Sequence, residues 1–417
     1  MEHSLLLRAA WVCPVARPPL RDAWVHVASG RVTAVGQGAA APPADRTQDL
    51  GAAIVLPGLV NAHAHLELSW LRGRVPPGAD FLTWVGHLMR ARTSFESAAD
   101  PVAMTAVRDA VAEMRASGTV AVGDIANALV TPAVLADTGM PGVVFHELMG
   151  FRDADGHAAV AASRARRLQL ASPGVRVVAA GHAPFSVSPE LFGAIRDDVG
   201  AAARPLTSVH VAESKEEVQL LRDGTGPWRE RLEALGVWRS DWVPPGRGPG
   251  DYLCDLGIIA AGTLVVHGLQ LTDAELARVA ACGATLVTCP RSNTWVGAGA
   301  PPVARFFAAG GRMAVGTDSL ASAPDLNLFS ELAELHRLAP GVAPARLIDA
   351  ATRGGAEALQ LDDRWGVIAA GQDARMIAVA VPGGTQDPEA VLVRGVTPDR
   401  IQWVGASVTA AAAGQGQ

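Results

Sequence analysis

Lysine is almost missing from this chain. Of its 417 residues, 34 are arginines and only one, Lys215, is a lysine, a bias that we attribute to genome composition. Cysteine is also scarce. The four cysteines are scattered without a CxxC pair, which excludes a disulfide framework and a CxxC-type zinc site. We therefore expect ordinary reduced thiols.

Long apolar runs are absent as well. The run from Gly257 to Val266 is far too short to cross a bilayer, and the first apolar run is broken at Arg8, which argues against a signal peptide. A net charge of −6 without a basic cluster argues against nucleic acid and anionic membranes as partners. We expect a cytoplasmic protein with a small-molecule substrate, and leave open whether it forms a homodimer.

Metal-compatible side chains follow short apolar runs at four places in the chain. Such runs are typical of buried strands, and residues at the carboxyl ends of successive strands meet at one face of a barrel. Imidazole and carboxylate together suit zinc or another divalent metal such as iron. The residues, in chain order, are His63 and His65, His210 with Glu213, His267, and Asp318.

Between residues 56 and 366, strand-like and helix-like segments alternate, which predicts a (β/α)8 barrel. A helical segment such as 272–283 ends at a glycine, as helices commonly do. The candidate barrel strands lie near 54–60, 119–124, 143–148, 175–181, 207–212, 263–267, 284–289 and 312–317.

The two ends of the chain have a different pattern from the barrel region. Residues 1–55 include a predicted hairpin with Ser29-Gly30 at its turn, and strand-like alternation returns within 367–417. The Pro/Gly-rich segment 224–255 follows the fifth strand and reads as a long loop, either a rim or lid over the catalytic face or a surface insertion. The Ala/Gly-rich tail after Gly405 is expected to be poorly ordered.

The motifs PGLVNAHAHLELS, GHAPFSVSPE, HVAESKEE, CPRSN and GTDSLAS occur in an order that resembles the amidohydrolase superfamily, in its nucleoside and aminoheterocycle deaminase branch. The resemblance covers nearly the whole chain. It implies that the terminal segments, 1–55 and 367–417, form a small β-sandwich beside the barrel of 56–366. It also implies one divalent metal ion held by His63, His65, His210 and Asp318, with zinc as the first candidate and iron as the second. Some members hold two metals with a lysine on the fourth strand, where this chain has no lysine.

The expected chemistry is hydrolytic removal of an amine from a heterocyclic ring. Asp318 is expected to accept a proton from the attacking water, and His267 to direct that water or to act as a structural histidine. Glu213 is expected to protonate the ring nitrogen and then the departing ammonia; the plainer alternative is a glutamate in the first turn of a helix. Glu216 and Glu217 are assigned that plainer role.

Four further residues are candidates for substrate contacts. Glu67 is a candidate to bond a ribose hydroxyl or to make a buried structural hydrogen bond. His182 matches a position that lines the pocket in the resembling deaminases. Arg291 suits a substrate carboxylate or a structural ion pair after the seventh strand. Glu147 stands where S-adenosylhomocysteine deaminases carry an arginine, and its charge would repel an anionic tail.

These departures favour the subgroup that acts on 6-aminodeoxyfutalosine. Thr83 stands where the S-adenosylhomocysteine group has a ribose-binding acid, and Trp84 and Trp295 are candidate walls for an aromatic substituent or simply core residues. The competing hypotheses are deamination of S-adenosylhomocysteine, methylthioadenosine or another aminoheterocycle, hydrolysis of a different bond as in triazine chlorohydrolases, and a metal-free barrel that acts as an assembly subunit.

Overall fold

The structure is a computed structural model that describes residues 4–92, 97 and 99–405. Its strands are β1 (Leu5–Val12), β2 (Leu20–Ala28), β3 (Arg31–Gln37), β4 (Arg46–Asp49), β5 (Ala53–Pro57), β6 (Leu59–Ala64), β7 (Thr119–Ala126), β8 (Gly142–Leu148), β9 (Val175–Gly181), β10 (Thr207–Val211), β11 (Thr263–His267), β12 (Thr285–Thr288), β13 (Arg312–Val315), β14 (Arg375–Ala380) and β15 (Ile401–Gly405).

The helices lie mainly between the strands β6 to β13 and after them. They are α1 (Phe81–Arg92), α2 (Pro101–Ala116), α3 (Thr131–Thr138), α4 (Gly156–Leu170), α5 (Pro189–Gly200), α6 (Lys215–Asp223), α7 (Pro227–Ala234), α8 (Pro249–Asp255), α9 (Asp273–Ala281), α10 (Pro290–Trp295), α11 (Val303–Ala308), α12 (Leu328–Leu338), α13 (Pro344–Ala350), α14 (Arg353–Ala358) and α15 (Pro388–Leu392), with short 3-10 helices at Leu66–Leu71 and Pro398–Arg400. No helix in the described ranges is long and apolar enough to cross a membrane.

Two four-stranded parallel sheets, β6-β7-β8-β9 and β10-β11-β12-β13, form the TIM-type barrel. They meet at both edges. On one side, the His210 backbone N–H donates to the His182 carbonyl at 2.8 Å, and on the other, Asp318 N–H donates to the His63 carbonyl at 3.1 Å. Since every strand of a parallel barrel points the same way, all carboxyl ends lie at one face.

The first barrel strand differs from the prediction. The apolar run predicted as one strand near 54–60 divides into β5, which belongs to the terminal sheet, and β6, which opens the barrel. The division falls at Gly58, where an added Cβ would lie 2.7 Å from Cβ of Val120. His63 therefore lies inside β6 rather than after it, and His65 is the first residue beyond the strand.

Both ends of the chain meet in one seven-stranded sheet. Its order is β15-β14-β5-β1-β2-β3, with β4 paired to β1. The predicted turn between β2 and β3 is observed, with φ of 53° at Ser29 and 72° at Gly30, the left-handed values that a tight hairpin turn requires. The described residues thus show a shared sheet, while the two-sheet sandwich and its bounds, 1–55 with 367–417, stay predictions.

The segment 224–255 is less irregular than predicted. It contains α7 and α8, whose first turns each carry a proline, a residue that suits the start of a helix because it needs no backbone N–H there. Trp228 of α7 stacks on Phe185 with ring centres 3.9 Å apart, and Phe185 contacts the edge of His182 at 5.5 Å. The segment therefore packs against the catalytic face. The tail after Gly405 lies outside the described residues.

Candidate metal centre and active site

The carboxyl face of the barrel brings together all the predicted metal and acid/base side chains. They come from β6, from the ends of β10 and β11, and from the turn after β13. Two overlapping groups have ligand atoms within 4.8 Å of one another, namely His63, His65 and Asp318, and His63, His210 and His267. Glu213 joins them through Oε1, which lies 3.5 Å from Nε2 of His267.

The spacing of the donor atoms fits a single divalent ion. Nε2 of His65 lies 3.3 Å from Nε2 of His210 and 3.5 Å from Oδ1 of Asp318. Four ligands held tetrahedrally at zinc bond lengths are separated by roughly the same distance, about 3.3–3.5 Å. His63 is fully buried, and within the described part of the chain neither of its ring nitrogens has a hydrogen-bond partner. A buried imidazole with that geometry fits a metal ligand.

The electrostatic surroundings keep the histidines neutral. Burial lowers the pKa of His65 and of His210 to about 4, and lowers that of His63 well below its usual value, with neighbouring histidines adding to the effect. An imidazole binds a metal only through an unprotonated nitrogen. The three rings therefore offer lone pairs at neutral pH.

Hydrogen bonds determine which ligand atom faces the centre. Nδ1 of His210 lies 3.1 Å from the His182 carbonyl, so this nitrogen carries the proton and Nε2 is free. The Ser292 hydroxyl donates to Oδ2 of Asp318, which leaves Oδ1 towards the histidines.

The backbone is strained at two of these residues. Asp318 and His267 have φ values of 59° and 73°, in the left-handed region that non-glycine residues seldom occupy. Strain of this kind persists where the surrounding structure fixes it, and it clusters at functional sites.

Glu213 has the properties of a buried acid. Burial raises its pKa well above the usual value, and the carboxylates of Asp318 and Glu217 raise it further. Glu217 also holds the turn that carries Glu213, because its carboxylate accepts from the backbone N–H of Ala212 at 2.8 Å and of Glu213 at 3.2 Å. Glu217 lies in the first turn of α6, as predicted, and in addition supports the turn that carries Glu213.

The CPRSN motif contributes two residues that the sequence analysis did not single out. Ser292 bonds Asp318, and the adjacent Asn293 places its amide nitrogen 3.0 Å from Nδ1 of His267. With that amide donating, the ring proton of His267 lies on Nε2, which faces Glu213. Both are polar residues on the short helix α10 that follows barrel strand β12, and this position was the available signal.

Arg291 and Glu67 both make structural contacts. The Arg291 guanidinium bonds Glu331 at 2.6 Å and Asp325 at 2.8 Å, so the ion-pair alternative describes its observed position. The carboxylate of Glu67 accepts from three backbone N–H groups of the loop after β7, those of Asn127, Ala128 and Val130. Neither side chain is free to meet a substrate in this arrangement.

His182 and Glu147 lie beside the metal ligands. Nδ1 of His182 bonds the Ser186 hydroxyl at 2.6 Å, and that hydroxyl donates to the Ala183 carbonyl. The His182 proton is therefore on Nδ1, and Nε2 presents an acceptor. Glu147 lies 3.5 Å from Nδ1 of His210.

The two tryptophans predicted as an apolar wall lie near one another in the fold. Trp84 is buried and stacks with Phe81 at 6.4 Å, and Trp295 is partly buried with its carbonyl bonded to Gly78 N–H at 2.9 Å. Thr83 bonds Asp80 at the start of α1. A substrate contact by either tryptophan stays a prediction.

Comparisons with known proteins agree with this geometry. The model of the Amidohydrolase family matches residues 54–402. An aminodeoxyfutalosine deaminase of Deinococcus radiodurans is 35% identical over 319 residues, 74% of each chain. A 5-methylthioadenosine/S-adenosylhomocysteine deaminase of Nitratidesulfovibrio vulgaris is 32% identical over 380 residues, 85% of this chain and 79% of the relative.

A solved structure extends the likeness to three dimensions. The adenosine deaminase of Xanthomonas campestris with bound zinc has a TM-score of 0.80 and 27% identity, over 95% of this chain and 90% of the other. The predicted enzyme class, a hydrolytic deaminase, is confirmed. With its matching family model, its barrel and its histidine-rich centre, the chain belongs to the amidohydrolase family.

Proposed function

We propose that this enzyme deaminates an adenine-type nucleoside, with 6-aminodeoxyfutalosine as its substrate. The observation that carries the proposal is the buried acid Glu213, 3.5 Å from His267 and beside the metal-compatible cluster. An amine leaves a ring only after protonation, so a carboxyl group with a raised pKa is the group that this reaction needs.

We propose one resident divalent ion, held by His63, His65, His210 and Asp318, with zinc as the first candidate and iron as the second. Three neutral imidazoles and one carboxylate suit either metal. When bound, such an ion lowers the pKa of water toward neutrality and supplies a nucleophile.

The chain's own residues move the protons. Glu213 protonates the ring nitrogen beside the amino-bearing carbon, which makes that carbon open to attack by water. Asp318 accepts a proton from the water, and His267 donates from Nε2 to orient it. The remaining proton of the attacking water passes through Glu213 to the amine, which leaves as ammonia, and the ring carbon keeps the oxygen. The proton held by Asp318 then returns Glu213 to its acid form.

The choice of substrate rests on the relatives and on two substituted positions. The Deinococcus radiodurans protein, 35% identical, is named an aminodeoxyfutalosine deaminase. Thr83, where the S-adenosylhomocysteine group has an acid, is bonded to Asp80. Glu147, where that group has an arginine, is a carboxylate with a buried side chain. The 32% identity to a methylthioadenosine/S-adenosylhomocysteine deaminase makes that activity the second candidate.

We also propose that residues 56–366 form the catalytic domain and that 1–55 with 367–417 form a separate β domain. Apolar side chains from both ends of the chain share one buried cluster, which includes Val25, Val55, Ile368 and Met376. The backbone leaves this sheet after β5 and enters the barrel at β6.

Ammonia release from a matched set of nucleosides tests the function. The set is 6-aminodeoxyfutalosine, S-adenosylhomocysteine, methylthioadenosine and adenosine, each assayed with the zinc-loaded enzyme. We expect a kcat/KM for 6-aminodeoxyfutalosine far above the others, since the ribose substituent contributes binding energy to the transition state. Equal values would show a general adenine-nucleoside deaminase, and no ammonia from any would reject the adenine assignment.

A further inference from the structure

The carboxylate of Glu147 lies next to a metal-ligand histidine. Glu147 is near the end of β8, and its side chain is only 3% exposed. Its Oε1 lies 3.5 Å from Nδ1 of His210 and has no hydrogen-bond partner within the described ranges. A buried carboxylate in this position destabilises the folded state unless a positive or proton-donating group lies beside it.

Asn127 holds this carboxylate in place. Its side-chain amide donates to Oε2 of Glu147 at 2.9 Å and to the Glu147 backbone carbonyl at 3.1 Å. The two bonds fix one oxygen of the carboxylate and leave the other, Oε1, directed at His210. The arrangement is therefore held by a dedicated neighbour.

The Nδ1 hydrogen of His210 is donated to the His182 carbonyl and lies beside this carboxylate. Nδ1 of His210 has two acceptors close by, the His182 carbonyl at 3.1 Å and Glu147 Oε1 at 3.5 Å, so this nitrogen carries the hydrogen. Nε2, on the opposite side of the ring, lies 3.3 Å from Nε2 of His65, among the other ligand atoms. Burial lowers the pKa of His210 to about 4, while the charge of Glu147 acts in the opposite direction.

A second metal ion is the alternative use of the same side chains. Glu147, His182 and His210 have ligand atoms within 4.8 Å of one another. His210 would have to bind the second ion through Nδ1, which already donates its hydrogen to the His182 carbonyl. The geometry therefore favours a carboxylate beside a protonated Nδ1 over a second metal site.

We infer that Glu147 is a positioning residue for the metal ligand His210, and that its negative charge, 3.5 Å from Nδ1, orients the ring and strengthens its bond to the ion. This inference rests on the proposed metal centre. A carboxylate beside a ligand imidazole raises the basicity of the nitrogen that binds the metal, and loss of such a partner costs about tenfold to a hundredfold in metal affinity. The carboxylates of Asp318 and Glu147 would together balance the two charges of the ion.

Zinc affinity of the purified chain tests this role. The metal is removed with a chelator, and zinc is added back in competition with a chromogenic chelator. We expect Glu147→Gln to weaken zinc binding about tenfold and Glu147→Ala by up to about a hundredfold. Asn127→Ala, which releases the carboxylate, weakens binding in the same direction and by less.

Glu275→Gln is the matched control. Glu275 is also a buried carboxylate, but it accepts from the backbone N–H groups of Gly250 in α8 and of Thr272 before α9 rather than facing the metal ligands. We expect Glu275→Gln to lower the thermal midpoint of unfolding without changing zinc affinity. This control therefore separates the loss of any buried carboxylate from the loss of the carboxylate beside His210.

Two outcomes would overturn the inference. One is wild-type zinc affinity in both Glu147 variants, combined with a raised KM for the nucleoside, which would make Glu147 a substrate contact. The other is a wild-type chain that binds no zinc. The inference and the proposed function can fail independently. If zinc binding weakens in the variants but no nucleoside yields ammonia, the inference is supported and the proposed function is rejected.

Discussion

Ser292 donates a hydrogen bond of 2.5 Å to Oδ2 of Asp318. The other oxygen, Oδ1, lies 3.5 Å from Nε2 of His65. A hydrogen bond to a charged acceptor is roughly twice as strong as one between neutral groups. The serine therefore helps to hold Oδ1 of the carboxylate towards the metal position, together with hydrogen bonds from Ser322 and the Ser319 backbone.

Ser292→Ala tests this relationship. Without the hydroxyl, Asp318 loses its fixed orientation, and we expect zinc affinity to fall about tenfold or more with a parallel loss in kcat. Chelator competition and steady-state kinetics measure the two effects. Thr294→Ala on the same short helix is the control, since its hydroxyl bonds only the Pro290 carbonyl. Unchanged zinc affinity in Ser292→Ala would show that the other hydrogen bonds of Asp318, from Ser322 and the Ser319 backbone, are enough to orient it.

Glu213→Gln removes the proton but keeps the shape of the side chain. We expect zinc content to persist and turnover to fall by a factor of roughly a hundred or more, which is the scale of a lost general acid or base. Glu216→Gln, on the following helix and partly exposed, should retain normal turnover. Near-normal turnover in Glu213→Gln would move the proton relay to His267.

Metal stoichiometry tests the single-ion centre. We expect one equivalent of a divalent metal per chain after purification without added metal, because one set of four ligand atoms faces one position. Chelation should abolish turnover, and zinc should restore it. Elemental analysis beside the activity assay gives the count, and two equivalents in an active sample would contradict a mononuclear centre.

The barrel and the positions of the ligands follow from local patterns that the sequence displays. Apolar runs mark buried strands, and a parallel barrel places their ends together, so His210 and Asp318 can be associated before the structure is known. The division between β5 and β6 was missed because the run is continuous in hydropathy and only packing at Gly58 interrupts it.

Side-chain pairings are harder to predict, since they depend on which residues tertiary structure brings together. The sequence leaves Arg291 open to a substrate contact or a structural ion pair, and only the position of Glu331, 40 residues away, favours the ion pair. Asn293 follows Ser292 in the same motif, yet its partner His267 lies on another strand. Glu217 looks like an ordinary residue of the first helical turn, and only its burial shows that it holds the turn of Glu213.

Glu217 also makes the stability of the fold depend on pH. Burial raises its pKa from the usual 4.5 to about 8, although two backbone N–H groups act in the opposite direction. Between these two pH values the folded chain binds more protons at this site than the unfolded chain. The stability that it contributes is therefore fully present below pH 4.5 and is lost as the pH rises through about 8.

Glu217→Gln should remove this dependence. Gln does not titrate, so the thermal midpoint of the variant should fall less than that of the wild type between pH 5 and 8.5. A difference of one bound proton changes the free energy of unfolding by at most about 1.4 kcal/mol per pH unit. Metal-free protein is used throughout, so that pH-dependent zinc binding does not contribute. Both proteins are compared in a Glu213→Gln background, because the charge of Glu217 shifts the pKa of Glu213. Buried acids that Glu217 does not affect, such as Asp124, are present in both proteins and cancel in the difference. Glu216→Gln should follow the wild-type curve, and a parallel curve for Glu217→Gln would show that Glu217 stays ionised in the fold.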